Sequence, residues 1–297
     1  MRVGLDIGGT KVDAVAVDDR GRPVERMRVP SGFGPVAVIE TAATAVAGIS
    51  ALTGVPVNRF DSVGIGIPGM VNRASGRVDH AVNLGIEHLE LGAELIDRLG
   101  IDVRIENDVR AAALGASNSL GGHGTMAYLN VGSGMAAAIV MDGRLWTGGT
   151  GIASEIGHLP VDPAGVLCGC GQRGCLETVA SGFGVARQWH AGDPLPVRSV
   201  FDAADAGDPK ASRIRAGLAE GIASAVRTLV LTVDADTVVI GGGVSRIGQP
   251  LLADIQGVLT RWGREAPFLG RLDLPGRVQL LTEGSPVAAI GAALIER

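Results

Sequence analysis

The chain has 297 residues, a length that suits two lobes of ordinary size better than a single domain. Hydrophobic residues make up 46% and charged residues 19% of the chain, which excludes a disordered protein and allows a large buried core. The net charge of −5 argues against a non-specific nucleic-acid binder, because such proteins are usually basic.

The N-terminal segment alternates between apolar runs and glycine-rich or polar turns. An acid at position 6, with no apolar run behind Arg2, argues against a secretory signal, so we expect a cytoplasmic protein. Apolar residues at helical spacing, closed by Gly54, predict an amphipathic helix over 35–52. Ahead of that helix we predict a strand over 3–5, the loop DIGGTK, a strand over 12–17, a polar turn over 18–21 and a strand over 24–29.

The same order of elements returns in the middle of the chain. We predict strands over 126–131 and 135–141, joined by the loop Gly132-Ser133-Gly134 and followed by a turn at 142–143. Strand, glycine loop, strand and acidic turn in the same order and at the same spacing predict a duplicated half. Two similar α/β lobes that face each other would place the two glycine loops across a cleft.

The remaining segments complete this division into lobes. Residues 111–141 contain no charged side chain, but glycines and polar residues interrupt them, so they predict a helix, a loop and two strands and not a membrane span. The C-terminal third predicts a helix over 210–231, a strand over 237–240 and a last helix with Ser285 as N-cap and Pro286 as its first residue. We assign residues 1–118 to a small N-terminal lobe completed by the helix over 285–297, and residues 119–284 to a larger lobe.

Three glycine-rich loops each follow an apolar strand. They contain Gly8-Gly9-Thr10, Gly132-Ser133-Gly134 and Gly241-Gly242-Gly243. Glycine lets backbone amides approach a phosphate closely, and a Ser or Thr hydroxyl adds a donor, although one such loop alone is usually a tight turn. None of them matches the GxxxxGK[ST] loop or the GxGxxG fingerprint, which disfavours a P-loop protein and a Rossmann dinucleotide domain.

The three cysteines are clustered, and their number is odd. Both facts argue against a disulfide framework and favour a metal site in a reducing compartment. Together with His158, the thiols of Cys168, Cys170 and Cys175 supply enough ligands for a tetrahedral Zn²⁺ site. Four protein ligands would make that zinc structural. The alternative is three buried free cysteines beside an unrelated histidine.

A second polar cluster, Glu106-Asn107-Asp108, follows a predicted strand over 103–105 and precedes a helix that begins VRAAAL. An Asn-Asp pair in this place is often only a helix N-cap. A carboxylate at a helix N-terminus would also stay ionised, as a general base must.

The order of the motifs resembles the ROK family, which contains bacterial sugar kinases and related repressors. The motifs read DIGGTK, IPG, ENDVRAA, GSG, EIGH, CxCGxxGCLE and IGGGVS, and they extend over essentially the whole chain. The resemblance implies an α/β fold of the two-lobed actin/hexokinase-like kind (ribonuclease H-like and duplicated) with a central cleft. It also implies ATP-dependent phosphorylation of a hexose at the 6-hydroxyl, with ATP and Mg²⁺ as cosubstrates and one structural Zn²⁺.

The resemblance further implies individual roles. Asp108 would be the general base that accepts the proton of the attacking sugar hydroxyl, and Asn107 would bind a neighbouring hydroxyl. The other implied sugar contacts are Glu155, His158 and Glu177, with Gly69 and Asn83 in the pocket wall. The implied nucleotide-binding residues are Asp6, Gly8, Gly9, Thr10, Lys11, Gly132, Ser133, Gly134, Gly241, Gly242 and Gly243.

The chain departs from the family pattern in the second lobe. Ser133 replaces the usual Thr, and Ala136 and Ala138 replace glycines that are common after the loop. Ser154 replaces a common glycine before Glu155 and would shift that carboxylate slightly.

The sequence leaves the sugar and the phosphate donor open. Glucose is the preferred sugar, but N-acetylmannosamine and N-acetylglucosamine kinases share most of the polar set. A fructokinase of the same family is a further alternative, and polyphosphate could replace ATP as donor. A sugar-sensing ROK regulator is disfavoured because no DNA-reading element fits ahead of Asp6. We expect a homodimer or homotetramer that binds sugar and ATP, with no nucleic-acid or membrane partner.

Overall fold

The computed structural model describes residues 1–190 and 192–296; Ala191, inside the predicted larger lobe, and Arg297, at the end of the predicted last helix, lie outside the described residues. The chain divides into two compact units. The first contains residues 1–123, 142–145 and those from 284 onward, and the second contains residues 124–141 and 146–283.

The first unit begins with a mixed sheet and a small antiparallel sheet. Its elements up to residue 119 are β1 (Arg2–Ile7), β2 (Lys11–Val17), β3 (Pro23–Pro30), α1 (Pro35–Thr53), β4 (Val63–Ile67), β5 (Met70–Asn72), β6 (Arg77–Ala81), β7 (Ile86–Leu89), α2 (Leu91–Leu99), β8 (Val103–Asn107) and α3 (Asp108–Ser119). The large sheet has the strand order β3-β2-β1-β4-β8, and the small one has the order β5-β6-β7. The strands and the helix predicted ahead of Gly54 are confirmed, each within two residues of its predicted ends.

The second unit contains the repeat predicted in the middle of the chain. The elements from residue 125 on are β9 (Thr125–Val131), β10 (Met135–Met141), β11 (Arg144–Trp146), α4 (Gly182–Gln188), α5 (Pro196–Asp205), α6 (Pro209–Val233), β12 (Thr237–Gly241), α7 (Gln249–Glu265), α8 (Pro267–Gly270), β13 (Val278–Leu280) and α9 (Val287–Ala293). Of these, α9 belongs to the first unit, and so do the first two residues of β11, Arg144 and Leu145.

The predicted duplication is confirmed by the topology of the two sheets. In the first unit, β2, β1, β4 and β8 lie side by side; in the second, β10, β9, β12 and β13 do so in the same way. In each series the first pair is antiparallel and the next two pairs are parallel. A glycine-rich three-residue loop joins the antiparallel pair in both units, at 8–10 and at 132–134.

The last helix corrects one prediction. Ser285 is not its N-cap and Pro286 is not its first residue. Pro286 occupies the N-cap position with a non-helical ψ of 46°, the helix begins at Val287, and it ends at Ala293 instead of running to the chain end. The cap makes no side-chain hydrogen bond, so its start is determined by packing and not by local capping chemistry.

Helix α9 packs very closely on its neighbours, because glycines on one element face backbone atoms of the other. A methyl group added at Gly291 of α9 would collide with the carbonyl oxygen of Ala111 in α3, and one at Gly115 of α3 would collide with that of Val287. A methyl group added at Gly64 of β4 would likewise collide with the carbonyl oxygen of Ala292. Helix α9 therefore lies directly on α3 and on β4, the strand that pairs with β8.

Two described helices, α1 and α6, are long and apolar enough to cross a membrane by length and composition alone. In α6 the buried side chains Ile214, Leu218, Ile222 and Val226 repeat at helical spacing and belong to the core of the second unit. The buried residues of α1 likewise belong to the core of the first unit. Each helix thus packs one side against the core of its own unit.

Candidate functional site

In the first unit, the site residues lie where the parallel strands end. Asp6 of β1 is in register with Gly66 of β4, and Gly66 is in register with Glu106 of β8. Parallel α/β sheets bind ligands beyond the carboxyl ends of their strands. Gly66 leaves room for the neighbouring helix, because a methyl group there would come within 2.9 Å of the Ala111 side chain.

The Asn107-Asp108 pair forms the junction between β8 and α3. The strand is two residues longer than predicted, because Asn107 still pairs with Ile67 of β4. Asn107 is the N-cap of α3, and its Oδ1 accepts the N–H groups of Val109 and Arg110 at 3.0 and 3.4 Å. Asp108 is the first helical residue, and its Oδ1 accepts the Val109 N–H at 2.9 Å. The predicted cap is confirmed, and it holds the Asp108 carboxylate at the helix N-terminus.

Burial shifts the titration of both acids at this edge. It raises the pKa of Asp6 to about 7. The negative charges of Asp108 and Asp13 raise this pKa further, whereas the positive charges of Lys11 and Arg28 lower it in part. Burial also raises the pKa of Asp108, although the Val109 amide lowers it in part. The sequence predicted that the helix N-terminus would keep Asp108 ionised. Burial has the larger effect, and the pKa of Asp108 lies above that of an ordinary carboxyl group. The two carboxyl groups are thus buried at one edge of the sheet, and the charge of Asp108 acts on Asp6.

The predicted pocket-wall residues are near this edge. Gly69 has a φ of 104°, which favours glycine, and its carbonyl oxygen accepts a hydrogen bond from Asn107 Nδ2 at 3.3 Å. A methyl group at Gly9 would come within 3.2 Å of the Asn83 carbonyl oxygen. The structure thus brings Asn83 to the first glycine loop and Gly69 to Asn107, the residue before the predicted base. Lys11 has its Nζ 3.7 Å from Asp13 Oδ2.

In the second unit, two of the glycine loops line one cavity of about 750 Å³. Gly132 and Ser133 form part of its wall, and Gly243 forms another part. Gly242, with a φ of 84°, lies so close to the end of β9 that a methyl group there would come within 2.5 Å of the Val131 carbonyl oxygen. The third loop is thus held against the strand that leads into the second.

The remaining cavity wall comes from residues that the sequence did not single out. Gly182 and Phe183 donate backbone hydrogen bonds to the carbonyl oxygens of Gly132 and Ser133, at 2.8 and 3.0 Å. The same cavity is also lined by Ala186, Pro194, Leu195, Pro196, Val197, Arg198, Val244, Arg246 and Ile247. This wall is mostly apolar, and apolar residues that meet only in the tertiary structure leave no chemical pattern in the sequence.

Glu155 and His158 lie at the ends of a tight turn that packs on β10. The His158 N–H donates to the Glu155 carbonyl oxygen at 3.1 Å, and the carbonyl oxygen of Ser154, whose φ is 77°, accepts the Ala137 N–H at 3.1 Å. The turn requires Gly157, because a methyl group there would collide with the Met135 carbonyl oxygen. The Glu155 side chain is exposed, as a residue that reaches for a ligand would be. The departures Ala136 and Ala138 lie inside β10, as predicted.

The four predicted metal ligands converge. The ligand atoms of His158, Cys168, Cys170 and Cys175 all lie within 4.8 Å of one another. Cys170 Sγ is 3.6 Å from Cys175 Sγ, and Cys168 Sγ is 3.7 Å from His158 Nδ1. Tetrahedral zinc with bonds of about 2.3 Å to sulfur separates its ligand atoms by roughly 3.8 Å. The group is therefore suited to a structural metal, and its soft thiol donors favour zinc.

The titration of the thiols fits the same interpretation. Burial raises the pKa of Cys168 to about 12 and also raises that of Cys175. In contrast, a hydrogen bond from the backbone N–H of Gln172 lowers the pKa of Cys170 to about 7. Buried thiols of this kind ionise when a bound cation supplies the compensating charge. When bound, zinc would hold the loop from His158 to Glu177 in one conformation.

Similarity to known proteins extends over nearly the whole chain. The profile of the ROK family matches residues 2–295. A glucokinase from Halalkalibacterium halodurans is 32% identical over 97% of this chain and 92% of its own length. The structure of a ROK hexokinase from Thermus thermophilus is 31% identical, with a TM-score of 0.86 over 99% of this chain and 96% of that one.

A second solved structure comes from Streptomyces griseus, a ROK family glucokinase in complex with glucose and AMPPNP. It is 30% identical, with a TM-score of 0.75 over 98% of this chain and 97% of that one. These likenesses confirm the actin/hexokinase-like α/β fold class predicted from the sequence.

Proposed function

The chain belongs to the ROK family, and on that premise we propose that it is an ATP-dependent hexokinase that phosphorylates glucose at the 6-hydroxyl. The observation that carries the proposal is Asp108, a carboxylate held at the end of β8 and the start of α3 beside Asp6. Similarity to glucokinases over nearly the full length of the chain supports the same activity.

The reaction requires one proton acceptor and a set of positioned donors. Asp108 accepts the proton of the 6-hydroxyl while the oxygen attacks the γ-phosphorus of ATP, and the bond between that phosphorus and the bridging β-phosphate oxygen breaks to release ADP. A base with a pKa above the ordinary carboxylate range is better matched to an alcohol proton at neutral pH. Phosphoryl transfer otherwise depends mainly on positioning and on neutralisation of charge.

The other residues have positioning roles in this proposal. Asn107, Glu155, His158 and Glu177 bind the sugar hydroxyls, with Gly69 and Asn83 in the pocket wall. The amides of the three glycine loops and Lys11 bind the nucleotide phosphates, and Asp6 would hold the Mg²⁺ that accompanies them. The apolar cavity beside Phe183 and Leu195 has the size and lining of a nucleoside site.

A coupled assay with ATP and a panel of sugars tests the function. We expect the highest kcat/KM with glucose, a lower value with mannose, and values far below both with fructose and the N-acetylhexosamines. The acetamido group is much larger than the hydroxyl it replaces, so a closed pocket rejects it strongly, whereas mannose only moves one hydroxyl. An N-acetylhexosamine that outperforms glucose would overturn the sugar assignment and leave the kinase assignment intact.

The same assay tests the phosphate donor and distinguishes a kinase from a sugar-sensing regulator. Polyphosphate in place of ATP should support less than a tenth of the rate. A wild-type protein that binds sugar but phosphorylates none would indicate a regulator.

We further propose a cytoplasmic homodimer or homotetramer without nucleic-acid or membrane partners. The net charge of −5 supports the absence of a nucleic-acid partner, and the packing of one side of α1 and of α6 against the core of its unit supports the absence of a membrane partner. Sedimentation equilibrium with and without glucose and ATP measures the oligomeric state.

A further inference from the structure

Glu106, the residue before the Asn107-Asp108 pair, carries a carboxylate with no solvent exposure. Its Oε1 accepts the N–H of Asn107 at 2.8 Å, and Arg110 Nη1 lies 3.6 Å from the same oxygen. Arg73 Nε lies 3.0 Å from Oε2 in an ion pair whose geometry leaves that oxygen without a hydrogen bond. A buried carboxylate requires such partners, because burial without them is strongly unfavourable. None of these contacts is used by the proposed chemistry.

The Arg73 side chain of this ion pair is held in place by its surroundings. Arg73 follows β5, in a turn that Asn72 fixes by accepting the N–H groups of Ala74 and Ser75 at 3.1 and 3.2 Å. Its Nη2 also donates to the Glu296 carbonyl oxygen at 3.3 Å, so the guanidinium is held from two sides. Arg73 is therefore a fixed anchor for the Glu106 carboxylate.

A second contact runs parallel to this ion pair. Asn107 Nδ2 donates to the Gly69 carbonyl oxygen at 3.3 Å, just ahead of β5. Residues 69–73 are thus joined to residues 106–107 at two points, one ionic and buried, the other a neutral hydrogen bond. Strand β5 connects the two points along the chain.

We propose that Arg73 and Glu106 form a positioning pair that holds the pocket wall at Gly69 against Asn107 and Asp108 and so sets the place of the sugar hydroxyl relative to the base. The inference rests on the proposed kinase function and adds two residues to it. Both act through others: Glu106 holds the backbone N–H of Asn107, and Arg73 pairs with Glu106. A misplacement of about 1 Å at the reacting atoms can reduce a rate by roughly 100-fold, so a pair that controls this distance affects the sugar step.

The test compares the wild type with Arg73→Gln, Arg73→Lys, Glu106→Gln and the double variant Arg73→Gln/Glu106→Gln. Arg98→Gln is the matched control, because Arg98 also pairs with an acid, Glu40, at 2.7 and 2.6 Å, but on the exposed surface. We expect Arg73→Gln to reduce kcat/KM for the sugar by about tenfold or more. The KM for ATP should stay within about twofold, Arg73→Lys should recover part of the loss, and the double variant should be no worse than Glu106→Gln alone.

The outcomes separate positioning from simple stabilisation. A variant Arg73→Gln that melts at a lower temperature but keeps its sugar kinetics overturns the inference, and so does an equal rise in both KM values. If Glu106→Gln or Arg73→Gln does not fold, Arg73→Lys decides the question, because it keeps a cation beside the buried carboxylate while it changes the geometry of the pair. A wild type that phosphorylates no sugar overturns the proposed function and the pair together, whereas an active wild type with unchanged variants overturns the pair alone.

Discussion

The Cys168 thiol donates a hydrogen bond to Glu177 Oε1 over 3.1 Å, so a predicted metal ligand holds the carboxylate of a predicted sugar ligand. The second carboxylate oxygen of Glu177 lies beside the second glycine loop, where a methyl group at Gly134 would come within 3.0 Å of it. Metal binding removes the thiol proton, because the thiolate is the metal ligand. We therefore expect metal loading to release Glu177 from Cys168 and make it available to sugar hydroxyls.

The first prediction follows from this relationship. Purified protein should contain about one equivalent of zinc per chain, and Cys175→Ser should lose the metal and most of the glucose affinity, because one of four soft ligands is gone. Elemental analysis and calorimetric titration with glucose measure the two effects.

Gln172→Ala is the control for this variant. Gln172 Nε2 contacts the His158 carbonyl oxygen and Cys170 Sγ at 3.3 and 3.6 Å, but it is not one of the four ligands. It should keep the metal and the affinity. A metal-free preparation of the wild type with full activity would contradict the assignment.

The second prediction concerns Asp108. Asp108→Asn keeps an oxygen that can accept the Val109 N–H but cannot take a proton, so kcat should fall by about 10²–10⁴-fold while glucose still binds. Because burial raises the Asp108 pKa, the rising limb of kcat against pH in the wild type should lie above the usual carboxylate range. Steady-state kinetics over a pH series measure both effects. Asp97→Asn, on the exposed side of α2, should leave them unchanged, and a variant at position 108 with more than about a tenth of the activity would exclude Asp108 as the base.

The third prediction concerns the contact between α9 and α3. Gly291→Ala should destabilise the protein by about 1–3 kcal/mol or more, because the added methyl meets the Ala111 carbonyl oxygen and backbone cannot move aside as a side chain can. Gly257→Ala in α7 is the matched control, since no atom lies within 4 Å of its added methyl. That change should stabilise the protein by about 0.5–1 kcal/mol. Urea unfolding measures both, and equal effects at the two positions would refute the close contact.

The fourth prediction concerns Ser154, which departs from the family pattern. Its φ of 77° is unfavourable for a side chain other than glycine, and its buried hydroxyl oxygen has no hydrogen-bond partner among the described residues. Ser154→Gly should raise the free energy of unfolding by about 1 kcal/mol, as relief of strain and of an unsatisfied hydroxyl exceeds the added entropy of the unfolded chain.

Ser154→Ala separates the two causes, because alanine removes the hydroxyl and keeps the backbone strain. It should therefore be less stable than Ser154→Gly. Urea unfolding of both variants beside the wild type gives the comparison, and an alanine variant at least as stable as the glycine variant would remove strain from the explanation.

Much of this protein follows from local sequence. The strands beside each glycine loop were predictable because short apolar runs and glycine turns are local signals, and their recurrence revealed the duplicated half. The metal ligands were predictable for a similar reason: His158 and the three cysteines lie close along the chain, and glycines let that short loop fold around an ion. Asn107 was recognisable as a cap from its place between a strand and a helix.

Other features depend on residues that meet only after folding. The start of α9 is determined by its backbone contact with α3 and not by Ser285, because a cap contributes little against a close contact over a whole helix. The raised pKa of Asp6 arises from burial and from Asp108, which is distant in sequence. The ion pair of Arg73 and Glu106 joins a hairpin turn to the end of β8. No local pattern encodes these pairings, because tertiary packing alone brings the partners within a few ångströms.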